Sequence, residues 1–71
     1  MKHDVESYKA DLVKAFDGKA KMTGVDLVNK LAKIRKIRYD EAYNIYAYCR
    51  ASKIVKAEHV VSHTYNISLN F

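Results

Sequence analysis

The hydrophobic period of this chain changes once, and the change divides it. Up to about residue 52 the apolar residues recur at the three- and four-residue spacing of helices; from Val55 onward they alternate with polar ones. A hairpin of two strands is not stable alone in water, so the helices must cover it. The expected class is therefore α+β. Proline is absent and glycine occurs only at 18 and 24, so boundaries have to be read mainly from caps and from breaks in the period.

Asp4 is a candidate N-cap, and Val5, Tyr8, Leu12, Ala15 and Phe16 follow at helical spacing, with Lys9, Asp11 and Lys14 off that face. The first helix is predicted at about 4–17, closed by Asp17-Gly18. Lys19 to Met22 is a short stretch that can be extended. Thr23, with Asp26 three residues later, opens a second helix at about 24–36, with Leu27, Val28, Leu31 and Ile34 inward. Arg38 would project from the middle of that apolar face if the helix continued. A turn is therefore expected at about 36–39, although no Gly or Pro marks it. The third helix, about 40–52, carries Ala42, Ile45, Tyr46 and Cys49 inward, with Glu41, Asn44, Tyr48, Tyr43 and Ala47 facing away. The hairpin, about 54–71, turns near Ser62 to Thr64; Val55, Ala57, His59 and Val61, then Tyr65, Ile67, Leu69 and Phe71, form its alternating set. With 71 residues the chain makes a single domain, 1–71, able to bury only roughly 60% of its unfolded surface.

The charge is as unevenly distributed as the hydrophobicity. Lys30, Lys33, Arg35, Lys36 and Arg38 fall within nine residues that contain no acid; outside that run the basic and acidic residues balance, so the run holds the whole net charge of +5. A focused positive patch on an otherwise neutral small domain is the footprint of a polyanion binder. Lys30, Lys33 and Lys36 form a stripe beside the inner face of the second helix, and Arg38 belongs to the turn. No nucleophile–base pair, paired-carboxylate spacing or phosphate-cradling glycine loop occurs, so an enzyme is not expected. His59 and His63 lack a third ligand type beside them; neither metal nor cofactor is expected. Cys49 is alone, which precludes an intramolecular disulfide and fits a reducing, cytoplasmic compartment. There is no apolar run near the ~18 residues of a membrane span, and the first residues lack the apolar stretch of a signal peptide, so no membrane partner is expected.

Three helices, a possible short strand between the first two, and a C-terminal hairpin resemble the winged helix-turn-helix superfamily over about residues 5–71. Asp-Leu-Val-Asn-Lys-Leu-Ala at 26–32 is similar to its scaffold helix. Arg-Tyr-Asp-Glu-Ala-Tyr-Asn-Ile-Tyr-Ala-Tyr-Cys at 38–49 is similar to its recognition helix, and Lys-Ile-Val-Lys-Ala at 53–57 would enter the wing. The chain departs from the pattern in three places: the turn before the third helix has no Gly, Lys53 stands where a glycine commonly follows the recognition helix, and Ser62-His63-Thr64 at the wing tip has no Lys or Arg. Asn44 and Tyr48 resemble the contact pair of winged domains that bind left-handed duplexes, without the basic residue near position 40 or the aromatic-proline wing of that family.

The resemblance implies a small DNA-binding protein, a transcription regulator, with double-stranded DNA as its partner. Lys30, Lys33, Arg35, Lys36 and Arg38 would hold backbone phosphates. Asn44, with Tyr43 and Tyr48, would read the groove, and His63 and Thr64 at the wing tip would approach the backbone. Asp40 and Glu41 oppose this, since they would repel phosphate at the helix end that nears the duplex. They equally suit the helix dipole, by ~0.3–1 kcal/mol each. A second expectation is a protein-interaction module on the same fold, of the kind phage-encoded small proteins supply, docking through exposed tyrosines. RNA binding is a third. The oligomeric state expected is a monomer or a weak homodimer.

Overall fold

The structure, a computed structural model, describes residues 3–61 and 64–71. Three helices precede a C-terminal hairpin, and a two-residue strand between the first two helices joins that hairpin. The result is an α+β domain with the layout of a winged helix. Each helix starts where a side chain satisfies its first free N–H groups. Asp4 accepts from the Ser7 N–H at 3.1 Å ahead of α1 (Val5–Phe16). Thr23 accepts from the Asp26 N–H at 3.3 Å ahead of α2 (Gly24–Arg35). At α3 (Tyr39–Ala51) the reciprocal bond is used: Glu41 accepts from the Arg38 N–H at 3.3 Å.

The helix ends explain the turn that no glycine announces. Lys36 itself takes the left-handed conformation, φ 56°, and the Ile37 N–H folds back to the Ala32 carbonyl at 3.0 Å. Asp17 at φ 48° and Lys53 at φ 61° do the same after α1 and α3. Lys53 thus holds the backbone conformation for which glycine is the usual residue.

β1 (Met22–Thr23), β2 (Val55–Val61) and β3 (Thr64–Leu69) form an antiparallel sheet in the order β1-β3-β2. Met22 pairs with Ile67; Val55, Ala57 and His59 pair with Leu69, Ile67 and Tyr65, and the register shifts between His59 and Val61. The core joins Tyr8, Leu12, Ala15 and Phe16 of α1 to Leu27, Val28 and Leu31 of α2. Ala42, Tyr46 and Cys49 of α3, together with Met22, Ile54, Val55 and Ile67, complete it. The alternation expected of the hairpin holds along β3, where Ile67 is buried and Tyr65 and Leu69 pack against the core, but on β2 only at its base. Val55 is buried, but Ala57, His59 and Val61 are exposed, as is Phe71 at 55%. β2 is the outer strand, and beyond Val55 its side chains reach past the helical layer.

Asp11 lies off the apolar face of α1, as expected, but is not free. Instead of pointing to solvent it forms an ion pair with Arg35, its side chain only 14% exposed. Arg35 also donates to Ser7 Oγ at 3.1 Å and lies 5.2 Å over the Tyr8 ring, so it ties the last turn of α2 to α1.

Cys49 is fully buried, and burial lifts its thiol from the ordinary 9.0 to about 11. At pH 8 the thiolate is then only about one part in a thousand, and it is enclosed. Labelling by a maleimide in native buffer is expected to be slow and to accelerate to the free-thiol rate in denaturant. Because the folded state holds its proton above the pH at which the unfolded chain loses it, Cys49 costs stability as pH rises from 9.0 towards about 11. No helix among the described residues is long and apolar enough to cross a membrane.

Candidate nucleic-acid interface

The five cations of the charge run have three different environments. Arg35 is directed at α1, as above, and its charge is engaged there by Asp11. Arg38, its side chain 80% exposed, is shared between Asp40 at 3.3 Å and Glu41 at 3.5 Å. Lys30, Lys33 and Lys36 form no ion pair among the described residues. Lys30 is half-buried, whereas Lys33 and Lys36 are exposed. The free part of the run is therefore a lysine stripe on α2 that ends at the turn into α3.

On α3 the three expected reading residues separate. Asn44 is exposed on the outer face. Tyr43, one residue earlier and about 100° around the helix, turns towards the hairpin; it is 48% exposed, and its ring centroid lies 5.7 Å from that of Tyr46. Tyr48 turns the opposite way. It is half-buried, stacks on the His3 ring at 3.9 Å and meets the Tyr8 ring edge-on at 5.9 Å. Tyr48 was expected to face away from the core beside Asn44; it instead fastens the N-terminal segment to α3. The remaining exposed positions around Asn44 are Asp40, Glu41, Ala47 and Ala51, so the middle of this face has no cation among the described residues.

Two features were not read from the sequence. One flank of α3 and the start of β3 enclose a trough of about 320 Å³ with the first turns of α2, walled by Tyr39, Tyr43, Tyr46 and Tyr65. A second hollow along α3 shares Tyr43, Tyr46 and Arg50 with it and runs on to Ala51. Among the described residues, Arg50 is the one cation that lines the trough. Its guanidinium lies 4.8 Å over the Tyr65 ring and 5.7 Å over the Tyr46 ring, and it donates to the Tyr46 hydroxyl at 3.5 Å. It has no carboxylate partner among the described residues. Burial raises the Tyr46 hydroxyl above its ordinary 10.0, with Arg50 opposing, so it stays neutral at physiological pH and accepts from Arg50. The signal available in the sequence was the spacing of Tyr39, Tyr43, Tyr46 and Arg50, which sets all four on one side of a helix.

Thr64 opens β3 opposite Val61 and lines the trough. His63, expected beside it, lies outside the described residues. No family model, curated protein or solved structure matches this chain.

Proposed function

We propose that this protein binds duplex DNA as a small winged-helix regulator, with α3 in the major groove. The observation that carries the reading is the distribution of uncompensated cations about α3. Lys33 and Lys36 lead into its first turn, Arg50 sits in its last, and the exposed face between them presents Asn44 rather than positive charge. A helix lodged in a major groove, about 12 Å wide, meets phosphates at the two rims and base edges between them. Tyr39–Ala51 is about 20 Å long, enough to cross that groove. In this arrangement Lys30, Lys33, Lys36 and Arg50 hold phosphates, Asn44 makes a bidentate pair with adenine, and Tyr43 and Thr64 flank the backbone in the trough. Arg38 contributes less, because Asp40 and Glu41 already share its charge.

A second reading, a protein-docking module, is favoured by one specific observation: Val25, Tyr39 and Tyr43 at the rim of the trough are 61%, 47% and 48% exposed. Such aromatic lips suit a protein anchor as well as a sugar–phosphate edge. Amide NMR shifts with a short duplex added at about 50 mM salt separate the two. DNA binding is expected to move Lys33, Lys36, Asn44 and Arg50 together, and to weaken steeply as salt rises. No shift at low salt overturns the DNA reading and leaves the docking one.

A further inference from the structure

The free edge of β2 has a hydrogen-bonding pattern and a charge order that fit a second copy of itself. The Asn70 N–H donates to the Ile54 carbonyl at 3.0 Å, in the same register as the pairs Lys56–Ser68 and Glu58–Asn66. Antiparallel ladders alternate, so Ile54, Lys56 and Glu58 direct their backbone groups at β3, and Val55, Ala57 and His59 direct theirs outward. β1 pairs only with β3, on the sheet's other side, so this outward edge has no partner strand among the described residues. Lys56, Ala57, Glu58 and His59 are all exposed.

We infer that β2 pairs antiparallel with β2 of a second copy, about a two-fold axis through Ala57. In that register Ala57 meets its own counterpart and Val55 meets His59, each pair exchanging both backbone hydrogen bonds. Lys56 then stands opposite Glu58 of the second copy, and Glu58 opposite Lys56, on the outer face of the joined sheet. The alternative registers are penalised. Moving the axis to Lys56 sets that lysine against itself, and moving it to Glu58 sets that carboxylate against itself; like charges directly opposite destabilise a sheet. An edge lysine ordinarily discourages pairing, but here the residue opposite it is an acid. Glu58 uses Oε2 for Lys21 at 3.0 Å, which leaves Oε1 for the incoming Lys56. The register shift after His59 bends the strand only beyond the paired segment. The axis lies on the hairpin edge, so two copies would carry their α3 helices as a symmetric pair.

The experiment is sedimentation of the full chain across a concentration range, beside Lys56→Glu and Glu58→Lys, with circular dichroism confirming that each variant is folded. The wild type is expected to dimerise. Each single variant places like charges opposite one another and is expected to weaken self-association roughly tenfold or more. Mixed together, the two variants set a pair of carboxylates on one chain against a pair of lysines on the other, and the dimer is expected to return as a heterodimer. A wild type that stays monomeric up to about 1 mM overturns the inference. So does a mixture that associates no better than its components, or single variants that dimerise as the wild type does.

Discussion

Replacing Lys30, Lys33 and Lys36 together by glutamine is expected to weaken duplex binding on the order of a hundredfold at low salt, through lost counterion release. The salt dependence should flatten by about one unit of slope for each lysine that held a phosphate. The loss should be equal for every duplex sequence, because phosphates carry no sequence information, whereas Asn44→Ala should narrow the difference between sequences. Folding is not expected to suffer from the triple change, since none of the three lysines is in an ion pair among the described residues. Two single variants separate charge from fold. Lys36→Gly removes a phosphate ligand but relieves a left-handed lysine at φ 56°, so affinity should fall while stability rises by up to about 1 kcal/mol. Arg35→Gln should do the reverse: duplex affinity keeps its slope, while the loss of the Asp11 and Ser7 contacts costs roughly 1–3 kcal/mol. Fluorescence anisotropy at two salt concentrations and thermal melts read these outcomes. A triple variant that binds as tightly as the wild type would mean that the stripe is a solvated face.

The contrast between Lys36 and Arg35 shows where the sequence was legible. Their neighbourhood in the chain is the same charge run, and helical period distinguishes them only once the partner of each flank is known. The period correctly stopped α2 near 36, because Arg38 on an apolar face costs too much to bury. It could not show that the stop is made by Lys36 in a conformation usually given to glycine. Nor could it show that Arg35 meets Asp11, a contact 24 residues away in sequence. The caps at Asp4 and Thr23 were readable because capping is local. The burial of the hairpin was readable along β3 and at Val55 but not along the rest of β2, because alternation gives the two faces of a strand but not which strand lies at the edge. Tyr43 and Tyr48 were grouped as outward residues and lie on opposite flanks of α3. Their sides were decided by what α1 and the hairpin offer: His3 and Tyr8 for one, the trough for the other.

Gly24→Ala is expected to destabilise the protein, although alanine is the better helix residue. The backbone at Gly24 is helical, so the requirement for glycine here is space rather than conformation. A Cβ built at this position would lie 2.7 Å from the Tyr46 hydroxyl oxygen and 3.2 Å from Cζ. Tyr46 is 5% exposed, and its rigid ring cannot swing away without disturbing Ala42 and Cys49 on the same face of α3. Overpacking of this kind costs typically about 1–3 kcal/mol. The gain in helix propensity offsets at most about 1 kcal/mol of that, and less in a first turn. For a domain of this length the total stability is roughly 4–10 kcal/mol, so the loss should lower the melting temperature by several degrees. The consequence extends to the trough, because the Tyr46 ring is one of its walls and holds Arg50 by its hydroxyl. Duplex affinity should therefore fall together with stability in Gly24→Ala, unlike in Lys36→Gly. Tyr46→Phe removes the atom of closest approach. Combined with Gly24→Ala it should lose less stability than the two changes predict separately, a coupling that a double-mutant cycle of thermal or urea unfolding measures. Strict additivity would place the strain of Gly24→Ala somewhere other than the α2–α3 contact.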